Sequence, residues 1–99
     1  MKLVAVVTPP EAGQTYAERA FANSIASDEF ALSVYDAVQN ILNADPEASV
    51  SEQISGWAKR ADVVAFYCDY GFTQRMAQWA MKLIEHGRIV EFRHIGENP

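Results

Sequence analysis

The sequence has little cysteine and histidine and no long apolar run. Its single cysteine, Cys68, excludes an intramolecular disulfide and is typical of a reducing compartment. The two histidines, His86 and His94, are isolated in the sequence, so we expect no metal site. The sequence contains no glycine-rich phosphate-binding motif, so we expect no cofactor. No apolar stretch approaches the roughly 20 residues of a membrane span, and residues 3–9 lack the core of a secretory signal. We therefore expect a cytoplasmic protein.

Positive charge is also scarce. Eight Lys and Arg against 13 Asp and Glu give a formal charge of −5, which argues against nucleic acid or anionic membrane as the main partner. The composition, 49% hydrophobic and 21% charged, is that of a globular protein rather than a disordered one. At 99 residues the chain has room for one domain, residues 1–99, without a linker.

Three short apolar runs predict β-strands. Leu3–Val7 and residues 61–68 are continuous rather than alternating, which suits parallel strands buried on both faces. Residues 89–92 are more amphipathic and predict a strand nearer the edge of the sheet.

Helical patterns lie between these runs. Thr15 with Glu18 and Ser49 with Glu52 have the spacing of capping boxes, and Thr73 can cap a last helix that ends at Gly87. The predicted apolar faces are Tyr16, Ala20, Phe21 and Ile25 in the first helix, Val50, Ile54, Trp57, Ala58 and Ala61 in the second, and Met76, Ala77, Ala80 and Ile84 in the last.

The segment from Phe30 to Leu42 fits two structures. A helical stripe runs through it, yet Phe30, Leu32 and Val34 also fit one face of a strand, with Asp36 capping a short helix behind it. We favour the strand because of the family resemblance given below. Strands that alternate with helices then predict an α/β fold in three layers, with a short parallel sheet of three to four strands, flavodoxin-like or Rossmann-like.

In such a sheet, ligands bind outside the carboxyl ends of the strands, where the strand order reverses. Two loops, residues 8–14 and 68–73, are expected there, and the second leads into a helix whose first amides can receive an anion. The candidate ligand-binding residues in these loops are Thr8, Pro9, Glu11, Asp69, Tyr70 and Thr73.

Each side chain also has a structural interpretation. Asp69 can act as a general base or bind a sugar hydroxyl, but a strand-end Asp more often accepts from turn amides. Thr73 suits a helix cap better than a phosphate ligand, and Tyr70 can stack on a base or cover the core. Cys68 has no base near it in the sequence and is interpreted as a buried thiol.

Three features spread over nearly the whole chain carry a family resemblance. The first strand ends in Thr8-Pro9, Tyr16 and Phe21 lie five apart in the first helix, and a helix leads directly into an Ala-Asp-hydrophobic strand. That last run reads Trp57-Ala58-Lys59-Arg60-Ala61-Asp62-Val63-Val64. In these features the chain resembles the nucleoside 2-deoxyribosyltransferase-like superfamily, especially its short bacterial and phage members.

The resemblance implies a flavodoxin-like sheet and chemistry at the N-glycosidic bond of a nucleoside or nucleotide. The family nucleophile is a Glu on a helix, and its position falls near Gln78 or Trp79 here, neither of which is a carboxylate. No catalytic residue therefore carries over. Asp69 carries over as a contact to a sugar hydroxyl.

Three functions follow as hypotheses. The first is a binding module that holds a nucleotide- or nucleoside-type small molecule between the two loops without turnover. The second is an N-glycosidic transferase or hydrolase in which Asp69, Glu11 or Glu85 replaces the missing nucleophile. The third is a phage-type inhibitor of a host protein that keeps the fold as a scaffold.

The helix that runs from Thr73 to His86 suggests a homo-oligomer. Trp79 and Leu83 lie off its predicted apolar face, and exposed aromatic residues are enriched at interfaces. An equally good interpretation is that Trp79 covers a thin core.

Overall fold

A computed structural model describes residues 2–27 and 30–96, in which strands and helices alternate. The strands are β1 (Leu3–Val7), β2 (Phe30–Ser33), β3 (Val63–Tyr67) and β4 (Val90–Arg93). The α-helices are α1 (Gly13–Ala26), α2 (Tyr35–Ala44), α3 (Ser51–Trp57) and α4 (Gln74–Glu85). Short 3-10 turns at Pro10–Ala12 and Ala58–Arg60 precede α1 and follow α3.

The four strands form one parallel sheet in the order β2-β1-β3-β4. The predicted α/β fold with a parallel sheet is thus confirmed, and its strand order matches the first four strands of a flavodoxin-like sheet. β2 lies on one side of β1, and β3 and β4 lie on the other side. Because each crossover between parallel strands is right-handed, this reversal of direction places helices on both faces of the sheet.

Each face of the sheet has its own core layer. Ala5, Val7, Val64 and Phe66 pack under α2, α3 and α4. On the other face the intervening residues of β1 and β3 pack against Tyr16 and Ala20 of α1. All five β3 residues and four of the five β1 residues are buried, which explains why these runs are continuously apolar.

The ambiguous segment contains a strand followed by a helix. The amide of Phe30 donates to the Lys2 carbonyl at 2.8 Å and begins the pairing of β2 with β1, so the strand interpretation is confirmed. Val34 then precedes α2. Asp36 lies inside the first turn of α2 and does not cap it, so that detail was wrong.

The helix starts were predicted with mixed success. Thr73 caps α4 as expected, since its Oγ1 accepts from the Met76 amide at 3.1 Å, and Gly87 follows the helix at φ +77°. The two capping boxes were wrong. The turn at Pro10–Ala12 leads directly into α1 at Gly13, two residues before Thr15, and α3 follows Val50 without a side-chain cap.

The buried face of α4 is rotated from the predicted one. Trp79 and Leu83 are buried, 3% and 0% exposed, whereas Ile84 is 56% exposed. In α1 likewise Ala17 and Ser24 are buried and Ile25 is not. An oligomer built on exposed Trp79 and Leu83 therefore loses its basis, because both side chains fill the core beneath α4.

No helix within residues 2–27 and 30–96 combines the length and apolarity that a bilayer crossing requires.

Candidate ligand-binding site

The two predicted loops leave the sheet side by side. β1 and β3 are hydrogen-bonded parallel neighbours, with Val7 opposite Phe66 at their carboxyl ends. The strand order also reverses between them, since β2 lies beyond β1 and β4 beyond β3. The adjacent strand ends that the predicted site requires are therefore present, and the side chains between the two loops determine whether they enclose a hollow.

Asp69 is bound by the protein itself. Its Oδ1 accepts from the Tyr16 hydroxyl at 2.5 Å, and its amide donates to the same hydroxyl at 2.8 Å. The amides of Ile95 and Gly96 donate to its carboxylate at 2.9–3.1 Å. The carboxylate thus fixes the segment after β4 to the end of β3, which is the structural interpretation of this residue.

The polar groups around Asp69 are held in their neutral forms. Burial, followed by the hydrogen bond to Asp69, raises the pKa of the Tyr16 hydroxyl well above its usual value. Burial and the nearby Asp69 charge raise the pKa of the half-buried Cys68 thiol, which donates to the Phe66 carbonyl at 3.3 Å. Cys68 is therefore a weak nucleophile at neutral pH.

The other predicted residues have separate surroundings. Thr8 and Pro9 are buried, and no residue in the described part of the chain hydrogen-bonds Oγ1 of Thr8. Glu11 is exposed and lies 3.7 Å from the Arg75 guanidinium. The Tyr70 ring packs edge-on against Tyr16, with centroids 4.7 Å apart. Side chains of α1 and the second loop thus occupy the junction.

None of three clefts between the described elements is lined by both loops. The first, of about 230 Å³, lies between α1 and the junction of β2 with α2. The second, about 300 Å³, is polar and separates residues 46–49 from the start of α4. The third, about 360 Å³, is a shallow apolar cleft at the end of β4, lined by Cys68, Phe72, Phe92 and His94. The expected hollow shared by the two loops is thus not among them.

The first cleft has the chemistry of a small-molecule site. Its lining residues are Gln14, Ala17, Glu18, Phe21, Ser33, Tyr35 and Asp36. They combine two carboxylates, an amide and a hydroxyl with aromatic rings, a mixture of apolar wall and a few polar groups that is typical of ligand pockets. The cleft adjoins the carboxyl end of β2, and of the two predicted loops only the first contributes to its lining, through Gln14.

Side-chain contacts hold three of these residues in place. The amide Nε2 of Gln14 donates to the Glu18 carboxylate at 3.3 Å. The amide Nε2 of Gln39 donates to the Tyr35 hydroxyl at 3.0 Å and to the Pro10 carbonyl at 3.1 Å, which connects α2 to the turn before α1. The sequence signal for this site was available: once residues 30–33 are read as a strand, Ser33, Tyr35 and Asp36 lie just beyond its carboxyl end.

Of the three carboxylates proposed to replace the family nucleophile, Asp69 and Glu11 lie in the two predicted loops and Glu85 does not. Glu85 is the last residue of α4, at the opposite end from the Asp69 loop. The positions expected for that nucleophile, Gln78 and Trp79, both line the second cleft, and the Trp79 side chain is buried. Among residues 2–27 and 30–96, no three His, Cys, Asp or Glu side chains cluster as a metal site would require.

The chain matches no protein-family model, and it matches neither a curated protein nor a solved structure.

Proposed function

We propose that this chain is a small-molecule binding protein, and that its ligand is a nucleoside-type compound held in the cleft between α1 and the β2–α2 junction. The observation that carries the proposal is the presence of Glu18 and Asp36 beside the rings of Phe21 and Tyr35 in one cleft. Aromatic rings suit a flat base, and carboxylates suit the hydroxyl groups of a sugar.

The charge of the cleft selects against phosphate. Glu18 and Asp36 are both acidic and the whole chain has a formal charge of −5, so a phosphate group here would be repelled. A nucleoside is therefore the expected ligand, and a nucleotide is not. The volume of about 230 Å³ is below the range of about 300–1,000 Å³ for drug-sized ligands, which favours a single nucleoside over a dinucleotide.

The position of Asp36 supports the sugar assignment. It is the third residue after β2, and in nucleotide-binding α/β folds an acidic residue near the end of the second strand binds ribose hydroxyls. Ser33, the last residue of β2, adds a hydroxyl on the same side of the cleft.

Thermal denaturation with purine and pyrimidine nucleosides and their 5′-monophosphates tests this proposal. A nucleoside at one hundred times its Kd stabilises the folded state by about 2.7 kcal/mol, whereas the matching monophosphate should give a much smaller shift. Asp36→Asn should weaken nucleoside binding at least about tenfold, since each carboxylate hydrogen bond contributes roughly 1.5–3 kcal/mol. The control is Glu85→Gln, an exposed carboxylate at the end of α4.

The remaining outcomes discriminate the other hypotheses. Equal shifts from nucleoside and monophosphate would overturn the assignment of the acidic cleft. No shift from any nucleoside would overturn ligand binding and favour the interaction protein, which capture of a host partner then tests. Release of free base during incubation, lost in Glu11→Gln or Asp69→Asn, would favour the N-glycosidic enzyme.

A further inference from the structure

β4 lies at one edge of the sheet, and no strand within residues 2–27 and 30–96 pairs with its outer side. The Val64 amide donates to the Ile89 carbonyl and the Cys68 amide donates to the Arg93 carbonyl, both at 2.9 Å. The backbone groups of the odd-numbered residues at β4 therefore face β3. Because backbone groups alternate along a strand, Val90 and Phe92 direct their amides and carbonyls away from the sheet. Such a row of outward donors and acceptors is complementary to another β-strand.

Apolar side chains continue this edge onto α4. Phe92 is 54% exposed and its ring lies 5.1 Å from that of Phe72, which is also exposed. The Arg75 and Gln78 flank of α4 faces residues 46–49 across the polar cleft. The opposite flank, which carries Met81 and Ile84, is therefore the one on the side of β4, and both of its side chains are more than half exposed.

We define the β4 edge surface as Phe72, Met81, Ile84 and Phe92 together with the outer backbone of β4. Its exposed apolar area is roughly 400 Å², within the range of about 300–600 Å² of the largest patch on a typical monomer, which is often functional. A standard interface buries about 800 Å² on each partner, and the apolar side chains of this patch supply about half of that area. In a dimer the backbones of the paired strands and the polar residues around them would supply the other half.

The charged residues of β4 are placed so that two copies of the strand can pair antiparallel with opposite charges facing each other. Glu91 and Arg93 flank Phe92 with opposite signs and already contact each other, with Arg93 donating to Oε1 of Glu91 at 3.1–3.2 Å. If two β4 strands pair antiparallel about a two-fold axis at Phe92, each Glu91 lies opposite the partner's Arg93. Cross-strand pairs of opposite charge stabilise a sheet, and like charges at those positions would oppose it.

We propose that two copies of this chain pair through the β4 edge surface, with β4 antiparallel to the partner's β4, to form a continuous eight-stranded sheet. The interface is isologous, which closes the assembly at a dimer. The proposal is independent of the nucleoside site, because that cleft adjoins β2 at the other edge of the sheet.

The opposite edge supplies the competing arrangement and the control. β2 also exposes apolar side chains, Phe30 at 60% and Leu32 at 41%, but it carries no charged residue that would set a register. Leu32→Lys should therefore leave the β4 dimer intact and would abolish a dimer formed through β2.

Light scattering and sedimentation over the micromolar range test the proposal. The native chain should have twice the 11.0 kDa mass of one copy. Glu91→Arg and Arg93→Glu should each weaken the dimer at least about tenfold, because each places like charges opposite one another twice per interface. The double variant E91R/R93E restores opposite signs and should recover most of the native affinity.

Circular dichroism of each variant shows whether the fold is retained. Phe92→Lys is a further variant that should disrupt the dimer while it leaves the Glu91–Arg93 pair in place. A native chain that stays monomeric throughout this range would overturn the proposal. So would a dimer that the single charge reversals do not weaken, or one that Leu32→Lys abolishes.

Discussion

The hydroxyl of Tyr16 and the carboxylate of Asp69 form a reciprocal pair across 53 residues of sequence. Tyr16 donates to Oδ1 of Asp69 and accepts from the Asp69 amide, so one hydroxyl satisfies two groups of the second loop. The carboxylate also accepts from the amides of Ile95 and Gly96. α1, the end of β3 and the segment after β4 are thereby joined at a single buried point.

Removal of this hydroxyl should destabilise the fold. Tyr16→Phe removes the acceptor of the Asp69 amide and one of the donors to Oδ1 of Asp69, which also accepts from the Ile95 amide, at a cost of about 1–3 kcal/mol in the free energy of unfolding. Chemical denaturation measures the change. The matched control is Tyr35→Phe, which loses only the bond from Gln39 and should cost less than about 1 kcal/mol. A Tyr16→Phe chain as stable as the native one would contradict the structural role of the pair.

Stability should fall in alkaline solution. The pKa values of Tyr16 and Cys68 are raised in the folded state, chiefly by burial, so the unfolded chain releases these protons first as the pH rises. The contribution of both groups is fully present below their unfolded pKa values, about 8.5 for Cys and 10 for Tyr, and is lost above them. Denaturation at several pH values should show this decline, and Cys68→Ser should make its first part shallower. An unchanged slope in Cys68→Ser would argue against the shift at Cys68.

Replacement by valine should change the stability of the fold in opposite directions at two threonines in the loops that follow β1 and β3. Oγ1 of Thr8 is buried without a partner among the described residues, so Thr8→Val should stabilise the fold by about 1 kcal/mol. Oγ1 of Thr73 accepts from the Met76 amide, so Thr73→Val should destabilise it by about 0.5–2 kcal/mol. Melting temperatures check both signs, at roughly 4–8 °C for each kcal/mol in a domain of this size. A lower melting temperature for Thr8→Val would mean that its hydroxyl has a partner.

Trp79 should behave as a core residue. Its side chain is 3% exposed and packs beneath α4, so Trp79→Ala should cost about 3–5 kcal/mol. Gln78→Ala, at the neighbouring exposed position, should change stability by no more than about 0.5 kcal/mol. Urea denaturation of the two variants checks the difference. Comparable effects at the two positions would indicate that α4 buries another face.

The fold was predictable from the sequence where burial is two-sided. β1 and β3 are covered on both faces, so their runs are apolar without interruption and could be recognised directly. β2 was ambiguous because it is an edge strand in which three of the four residues are exposed, so its pattern carries little periodic signal. The face of α4 was misjudged because Met76 and Ala80 belong both to the predicted stripe and to the buried one.

From the sequence, the position of a site could be predicted only as the side of the sheet where the carboxyl ends of the strands lie. Parallel strands that alternate with helices place their loops at that edge whatever the loops contain, so the position followed from the order of elements. Which loops enclose a cavity depends on how side chains from separate elements meet. Tyr16 and Tyr70 pack together at the junction beside Asp69, while a cleft opens between α1 and the junction of β2 with α2.

The sequence by itself determined the class of fold, the order of the elements outside residues 30–42 and the absence of an intramolecular disulfide, because these depend on local apolar patterns and on counting residues. The tertiary structure alone decided that Asp69 binds the chain's own amides, that the cleft lies beside β2, and that α4 turns Met81 and Ile84 outward. Those outcomes depend on contacts between residues far apart in the chain, and no local pattern encodes the angle at which a helix settles on its sheet.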